Sequence, residues 1–236
     1  MKHKIFLIAV LITVTASLAF AQGYRGGNRT DSRAGGRDFS YDGDLTEILS
    51  EVPAGELDQA EIDGLLLMRE EEKLARDVYT TLAEEWNIRS FENIARSEDT
   101  HMEAVGILLD RYGVEDPVKS DAVGTFTSPL LDNLYDDLVD LGMKSYTDAL
   151  KVGAKIEELD IADLLELIDS TDNDDIKVVY QNLLKGSRNH LRAFDMKIQR
   201  DGEVYTPEFL TAEEYERIAS SPREMGSVIT DPEYLF

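Results

Sequence analysis

Glu98 and His101, in the stretch IARSEDTHMEAV, stand three residues apart inside an otherwise apolar helical pattern. On a helix that spacing projects both side chains from one face, so a carboxylate and an imidazole are aimed together at whatever the face covers. A second histidine, His190 in SRNHLRAF, occupies a comparable place, with Ser187 three residues before it. Two further acids interrupt apolar seams at similar depth, Glu72 in EEEKLARDVY and Glu158 in KIEELDIADL. An ionised carboxylate in a helical core costs several kcal/mol unless a counter-charge or a cation meets it. Three glutamates and two histidines at matching depth therefore call for a common partner, and a divalent metal satisfies all of them together. Carboxylate and imidazole ligands suit iron, manganese or zinc alike, with one or two ions per chain. The competing arrangement is a metal-free network, with Glu bonded to His and Tyr79 or Tyr180 bonded to Glu, that only sets helix register. Histidine usage favours the metal: of three histidines, His3 falls in an N-terminal leader, and the other two both fall on these seams.

The elements that must position these groups follow from apolar residues spaced by alternating steps of three and four. The first seam reads Leu65, Met68, Glu72, Ala75, Tyr79, Leu82, Trp86, and the second Phe91, Ile94, Glu98, His101, Val105, Leu108, Tyr112. The third reads Ala154, Glu158, Ile161, Leu165, Ile168, and the fourth Ile176, Tyr180, Leu183, Ser187, His190, Phe194. Asp58 with Glu61 marks a capped start for the first helix, which runs to about Asn87. Ser90 caps a second helix ending near Gly113, and Ser145 with Asp148 opens a third reaching about Ser170. TDNDD restarts a fourth that lasts to Asp201. Two or three residues join the first helix to the second and the third to the fourth, so each pair is an antiparallel hairpin. About thirty residues lie between the pairs, including Pro117, Pro129 and a short helix in LLDNLYDDLVDLG. The expected fold is all-α: a ferritin-like four-helix bundle, two hairpins joined by a long crossover. Beyond Gly202, short helical pieces such as TAEEYERIA wrap the outside.

The chain opens with a basic start (Lys2, Lys4), an apolar run from Ile5 to Phe20, and the small-x-small pattern Ala19-Phe20-Ala21. That is the grammar of a secretory signal peptide, residues 1–21, and implies a periplasmic or extracellular location without stable membrane insertion after cleavage. Residues 22–44, rich in Gly, Arg, Ser and Asp, read as a flexible tether. The bundle is assigned to residues 45–215 and a C-terminal tail to 216–236. Cysteine is absent, which excludes disulfides and thiolate or iron–sulfur sites. The net charge is −24; residues 1–21 contribute +2 and residues 22–44 none, leaving −26 on residues 45–236. Such a surface repels nucleic acid and attracts cations. Metal ions are the expected partners, and a homodimer is compatible with this reading.

EKLARDVY from Glu72 resembles the first-helix motif of rubrerythrins and bacterioferritins, a Glu followed by Ala at +3 and Tyr at +7. EDTH matches their second-helix Glu-x-x-His, and ELDIADL from Glu158 is similar to the third-helix motif of bacterioferritins. Residues 58–215, about two thirds of the chain, resemble a secreted, uncharacterised branch of the ferritin-like superfamily, domain of unknown function 2202. The resemblance implies a dinuclear iron or manganese site. Glu72 would be a terminal ligand to one metal and Glu158 to the other, Glu98 would bridge, and His101 and His190 would each bind one metal. The departure is in the fourth helix, where SRNH puts Ser187 in place of the second bridging glutamate. Two divalent ions carry +4, which three carboxylates leave short by one. A hydroxide, an outside anion or another acid would supply the missing charge. Asp99, Glu157, Asp160 and Asp195 are near enough in sequence, although acids so placed are more often solvated or supporting groups, and Tyr79, Ser187 and Glu157 are supporting or substitute groups. The function implied is an exported metal-binding protein, with oxidase or peroxidase activity at a diiron or dimanganese site as the enzymatic form. A non-catalytic single-metal module and a metal-free interaction domain stay open beside it.

Overall fold

The computed structural model describes residues 41–234, with side chains from Leu45 onward. The expected signal peptide and residues 22–40 of the expected tether lie outside the described residues. Among the described residues all regular structure is helical, in seven helices. None is long and apolar enough to cross a membrane.

Local signals explain most helix ends. Helix α2 (Gln59–Trp86) starts at a reciprocal capping box, Asp58 accepting from the Glu61 amide and Glu61 from the Asp58 amide, both at 2.9 Å. It stops at Asn87, which adopts the left-handed conformation with φ 51°. Helix α3 (Arg89–Tyr112) begins one residue before Ser90, with Ile88 at the cap position and no side-chain cap. Ser90, expected as the cap, is therefore inside the helix, and its hydroxyl has no hydrogen bond. Gly113, at φ 65°, closes α3, and the Val114 amide reaches back to Leu109 at 2.9 Å. Helix α4 (Pro129–Gly142) opens on proline, whose missing N–H costs nothing there. Ser145 caps α5 (Tyr146–Ser170) through the Asp148 amide at 3.0 Å, and α6 (Asp174–Arg200) follows after Asn173. Thr211 and Glu214 box the start of α7 (Ala212–Ser220), which runs through the expected boundary at residue 215.

Helix α1 (Tyr41–Glu51) has no counterpart among the sequence expectations and takes in residues 41–44 of the stretch read as tether. It is held by docking. Leu45 and Leu49 are fully buried, and Arg111 of α3 donates to the carbonyls of Leu49 and Val52.

Helix α2 packs along α3, and α5 along α6, each pair joined by so few residues that it must be an antiparallel hairpin. Helix α2 also meets α5 and α3 meets α6, while α4 lies against α2 and α5. The crossover before α4 is pinned from α2. Lys73, fully buried, bonds to Asp77 at 2.5 Å and to the Ala122 carbonyl at 2.9 Å, and sits 4.7 Å over the Phe126 ring. The segment after α6 folds back over α5 and α6. Arg188 takes Glu224 through two hydrogen bonds of 2.7 and 2.6 Å, and the Asn182 side chain donates to the Ile229 carbonyl and accepts from the Ile229 amide, both at 2.8 Å.

Candidate metal centre

The four long helices each deliver acid or imidazole to one buried place. Glu72 comes from α2, Glu98 and His101 from α3, Glu157 from α5 and His190 from α6. Glu72, Glu98, His101 and Glu157 are each 2% exposed, and the His190 side chain, at 13%, is the member nearest solvent. His101 Nδ1 lies 2.7 Å from Glu98 Oε2 and 3.1 Å from Glu72 Oε2. His190 Nδ1 lies 3.0 Å from Glu98 Oε1 and 3.4 Å from Glu157 Oε2. Two triads result, Glu72–Glu98–His101 and Glu98–Glu157–His190, each offering three ligand atoms within 4.8 Å of one another. Glu98 belongs to both, with one oxygen toward each imidazole.

Close approach here is not the same as saturated hydrogen bonding. Glu72 Oε1, Glu98 Oε1 and His190 Nδ1 are buried without an aligned hydrogen bond, even though the last two are 3.0 Å apart. Leaving a buried charged acceptor unsatisfied costs about 1–3 kcal/mol or more, so native cores rarely tolerate several together. Carboxylate oxygens and imidazole nitrogens converging at this depth are a donor set that a divalent cation can use once it displaces the imidazole protons.

The surroundings set how the ligand groups face. The two imidazoles lie 5.8 Å apart with 28° between planes. The far edge of His101 packs on the α6 backbone at Gly186, where a Cβ would come within 2.5 Å of Cε1 and Nε2. That leaves Nδ1 as the nitrogen turned to the carboxylates. The Tyr79 hydroxyl donates to Glu157 Oε1 at 2.5 Å and lies 3.3 Å from the Gly153 carbonyl. Beside it, Tyr79, Phe91 and Phe194 form an aromatic layer with ring centroids 5.4–5.6 Å apart.

Electrostatics divides these groups by partner. Burial alone would lower His190, but the carboxylates of Glu98 and Glu157 outweigh it and push the imidazole up to about 10. His101 is likewise buried, and Glu72 and Glu98 hold it well above its usual value. Glu98 is the mirror image: burial would raise it, yet His190 and His101 bring it down to about 2. Burial pushes Glu72 up to about 7 against the pull of His101. In the metal-free protein the site is held by protons on the imidazoles, and a metal must displace them.

Several sequence assignments change. Glu158 was expected as the third-helix ligand, but its carboxylate faces the other way. It accepts from the Tyr205 hydroxyl at 2.6 Å and from the amides of Glu208 at 3.0 Å and of Phe209 and Leu210 at 2.7 Å. Glu157 takes the inward place. The inward line of α5 runs Gly153, Glu157, Asp160, Leu164, and Leu165 of the expected seam is 46% exposed. Ser187 is 1% exposed and donates to Asp160 Oδ2. Asp99 is instead half-exposed and paired with Arg76, and Asp195 accepts from Tyr215 and Gln199. Sequence reasoning missed Gly186 altogether. It also missed Glu71 and Asp163, whose carboxyls lie beside each other; burial raises both, Asp163 to about 6. The one available signal for Glu71 was its place next to Glu72 in an acidic run that reads as a solvated face.

A family model described as "Uncharacterized protein domain (DUF2202)" matches residues 61–222. The chain belongs to the DUF2202 family. The matched span contains every residue of the two triads. Uncharacterized protein MJ0754 of Methanocaldococcus jannaschii is 54% identical over 182 residues, covering 77% of this chain and 98% of that protein. A solved structure described as "Crystal structure of hypothetical protein MJ0754 from Methanococcus jannaschii DSM 2661" matches with a TM-score of 0.72 and 55% identity, over 73% of this chain and 99% of that one. Neither description of MJ0754 states an activity.

Proposed function

We propose that this DUF2202 protein is an exported, ferritin-like four-helix bundle that binds divalent metal through Glu72, Glu98, His101, Glu157 and His190. The observation that carries the reading is Glu98: buried, shared by two triads, and with one oxygen turned to each imidazole. The bundle assignment is supported by two helical hairpins joined by one long crossover, with the ligand groups on facing helices. The −26 charge on residues 45–236 favours cations and disfavours nucleic acid. The leader pattern supports a location outside the cytoplasm.

Iron or manganese suits this donor set best, and zinc is compatible with it. Iron or manganese bound there would supply redox chemistry toward oxygen or peroxide, which is the enzymatic form of the reading. The chain's own contribution is legible without it. Glu98 links the two half-sites, Tyr79 fixes Glu157, Gly186 seats His101, and the rings of Phe91 and Phe194 pack on Tyr79. The second reading is a metal-free domain in which two imidazoliums answer the carboxylates, a pairing favoured by the raised His101 and His190.

Metal analysis of protein purified without chelator decides between them, with His101→Ala and His190→Ala alongside. One or two ions per chain, lost or weakened in each variant, is the expected result. A chain that stays empty and whose melting temperature ignores added iron, manganese and zinc would leave only the metal-free reading.

A further inference from the structure

We propose that Asp160 is the fourth carboxylate of the metal centre, held by Ser187, and that it allows the site to take a second divalent ion. This rests on the metal-binding reading above and extends it to stoichiometry.

The placement comes from two helices. Asp160 is one turn beyond Glu157 on α5, so both project from the same face, between the inward residues Gly153 and Leu164. Ser187 is one turn before His190 on α6, fully within the core, and its hydroxyl donates to Asp160 Oδ2. The α6 position that faces the centre beside His190 thus carries a neutral donor, and what that donor positions is an acid from the neighbouring helix. Asp160 is half-buried and Ser187 engages its Oδ2, so Oδ1 is the oxygen that would meet a cation. Asp160 lies outside the two triads but within the electrostatic reach of Glu72, Glu157 and Glu98.

Charge then decides what the acid is for. Glu72, Glu98 and Glu157 supply −3, and the imidazoles are neutral as ligands. One divalent ion is amply balanced by three carboxylates; two are not, and a net charge in a buried site is costly. Asp160 brings the total to −4, which matches two divalent ions. Glu72 Oε1 and Glu98 Oε1, neither with an aligned hydrogen bond and both on residues 2% exposed, mark where the cations would be met. An acid on α5 locked by a serine on α6 therefore does the work that an acid at position 187 would do directly.

The test is calorimetric titration and metal analysis with Fe²⁺ under anaerobic conditions, and with Mn²⁺ and Zn²⁺ in parallel, on the full chain and its variants. The wild-type protein should bind two ions. Asp160→Asn should keep the first within a few-fold and weaken the second roughly 10–100-fold, the range typical for groups that support a metal ligand set. Retention of the first ion shows that the variant is folded. Ser187→Ala should weaken the second ion less, and adding Ser187→Glu to Asp160→Asn should restore it, which a merely structural role for Asp160 would not allow. Two ions of unchanged affinity in Asp160→Asn would overturn the inference. A single ion in the wild type would also overturn it while leaving the metal-binding reading intact, whereas no ion at all would remove both.

Discussion

Glu157 and Glu158 are neighbours on α5 and fully buried, yet they face different parts of the protein. Glu157 meets Tyr79 and His190 at the centre, and Glu158 grips the Tyr205 hydroxyl and the amides of residues 208–210. Consecutive helix positions differ by about 100° in direction, so one acid serves the site while the next ties down the C-terminal segment. Exchanging either for alanine should separate the two roles. Glu157→Ala should lose metal affinity at the His190 half-site. Glu158→Ala should retain metal but lose about 3 kcal/mol or more of stability, because three amides and a hydroxyl are left without their acceptor. Denaturant unfolding and metal titration of the two variants would measure this, and equal metal loss in both would refute the assignment.

Proton release should accompany metal binding. In the metal-free protein at pH 7, His190, pushed to about 10, and His101, also raised, carry protons that a ligating imidazole must lose. Calorimetry in buffers of different ionisation enthalpy should show about one proton released per histidine engaged, with Glu72, near 7, adding a fraction. Affinity should rise with pH. The sign for stability is opposite. A group raised on folding stabilises fully below its unfolded value, about 6.5 for histidine, and its contribution is lost as pH rises through the folded value. The metal-free protein should therefore lose melting temperature between about pH 6.5 and 10, and the metal-loaded protein should not. Glu98, lowered to about 2, adds stability above about 4.5 that disappears as pH falls through 2.

How far the sequence discloses this protein depends on what each feature rests on. Helices α2 and α5 carry their own caps at Asp58, Glu61 and Ser145, and the 3–4 spacing of α2, α3 and α6 has one buried stripe wide enough to trace. Helix α1 carries no such pattern; it exists because Leu45 and Leu49 find a surface and Arg111 finds the carbonyls of Leu49 and Val52, which are tertiary facts. The one-residue error on α5 has a similar origin. That helix is buried on two sides, against α6 and under the returning C-terminal segment, so two lines compete: Gly153–Glu157–Asp160–Leu164, with two acids in the middle, and Ala154–Glu158–Ile161–Leu165, with one acid in an apolar line that reads as the seam. Only the donors of residues 205–210 decide between them. Ser187 shows in sequence as a missing acid; its hydrogen bond to Asp160 is visible only once two helices are side by side.

Tyr79→Phe should report on ligand positioning. The hydroxyl is fully buried, and its removal leaves Glu157 Oε1 without a donor. The expected result is a loss of about 1–3 kcal/mol in the metal-free protein and weaker metal binding, roughly 10-fold or more, as the carboxylate loses its fixed orientation. Unchanged affinity in the variant would show that Glu157 needs no such support.

Gly186→Ala gives the sharpest steric test of the centre. In mid-helix, replacing glycine by alanine ordinarily stabilises by about 0.4–1 kcal/mol, because the unfolded chain loses freedom. Gly106 of α3 is such a position, its nearest neighbour to an added Cβ being Arg69 Cζ at 3.9 Å. At Gly186 the added carbon would lie 2.5 Å from two atoms of the His101 ring, too close for either to remain. His101 is wedged between α6 and the carboxylates, 2.7 Å from Glu98 and 3.1 Å from Glu72, so the ring can yield only by turning Nδ1 out of register or by prising α6 away. Overpacking of this kind costs about 1–3 kcal/mol. Gly106→Ala should therefore raise the melting temperature and leave metal binding unchanged, while Gly186→Ala should lower it and weaken the Glu72–Glu98–His101 half-site at least roughly 10-fold. Wild-type affinity in Gly186→Ala would mean that His101 is not held by α6 and that its orientation comes from the carboxylates alone.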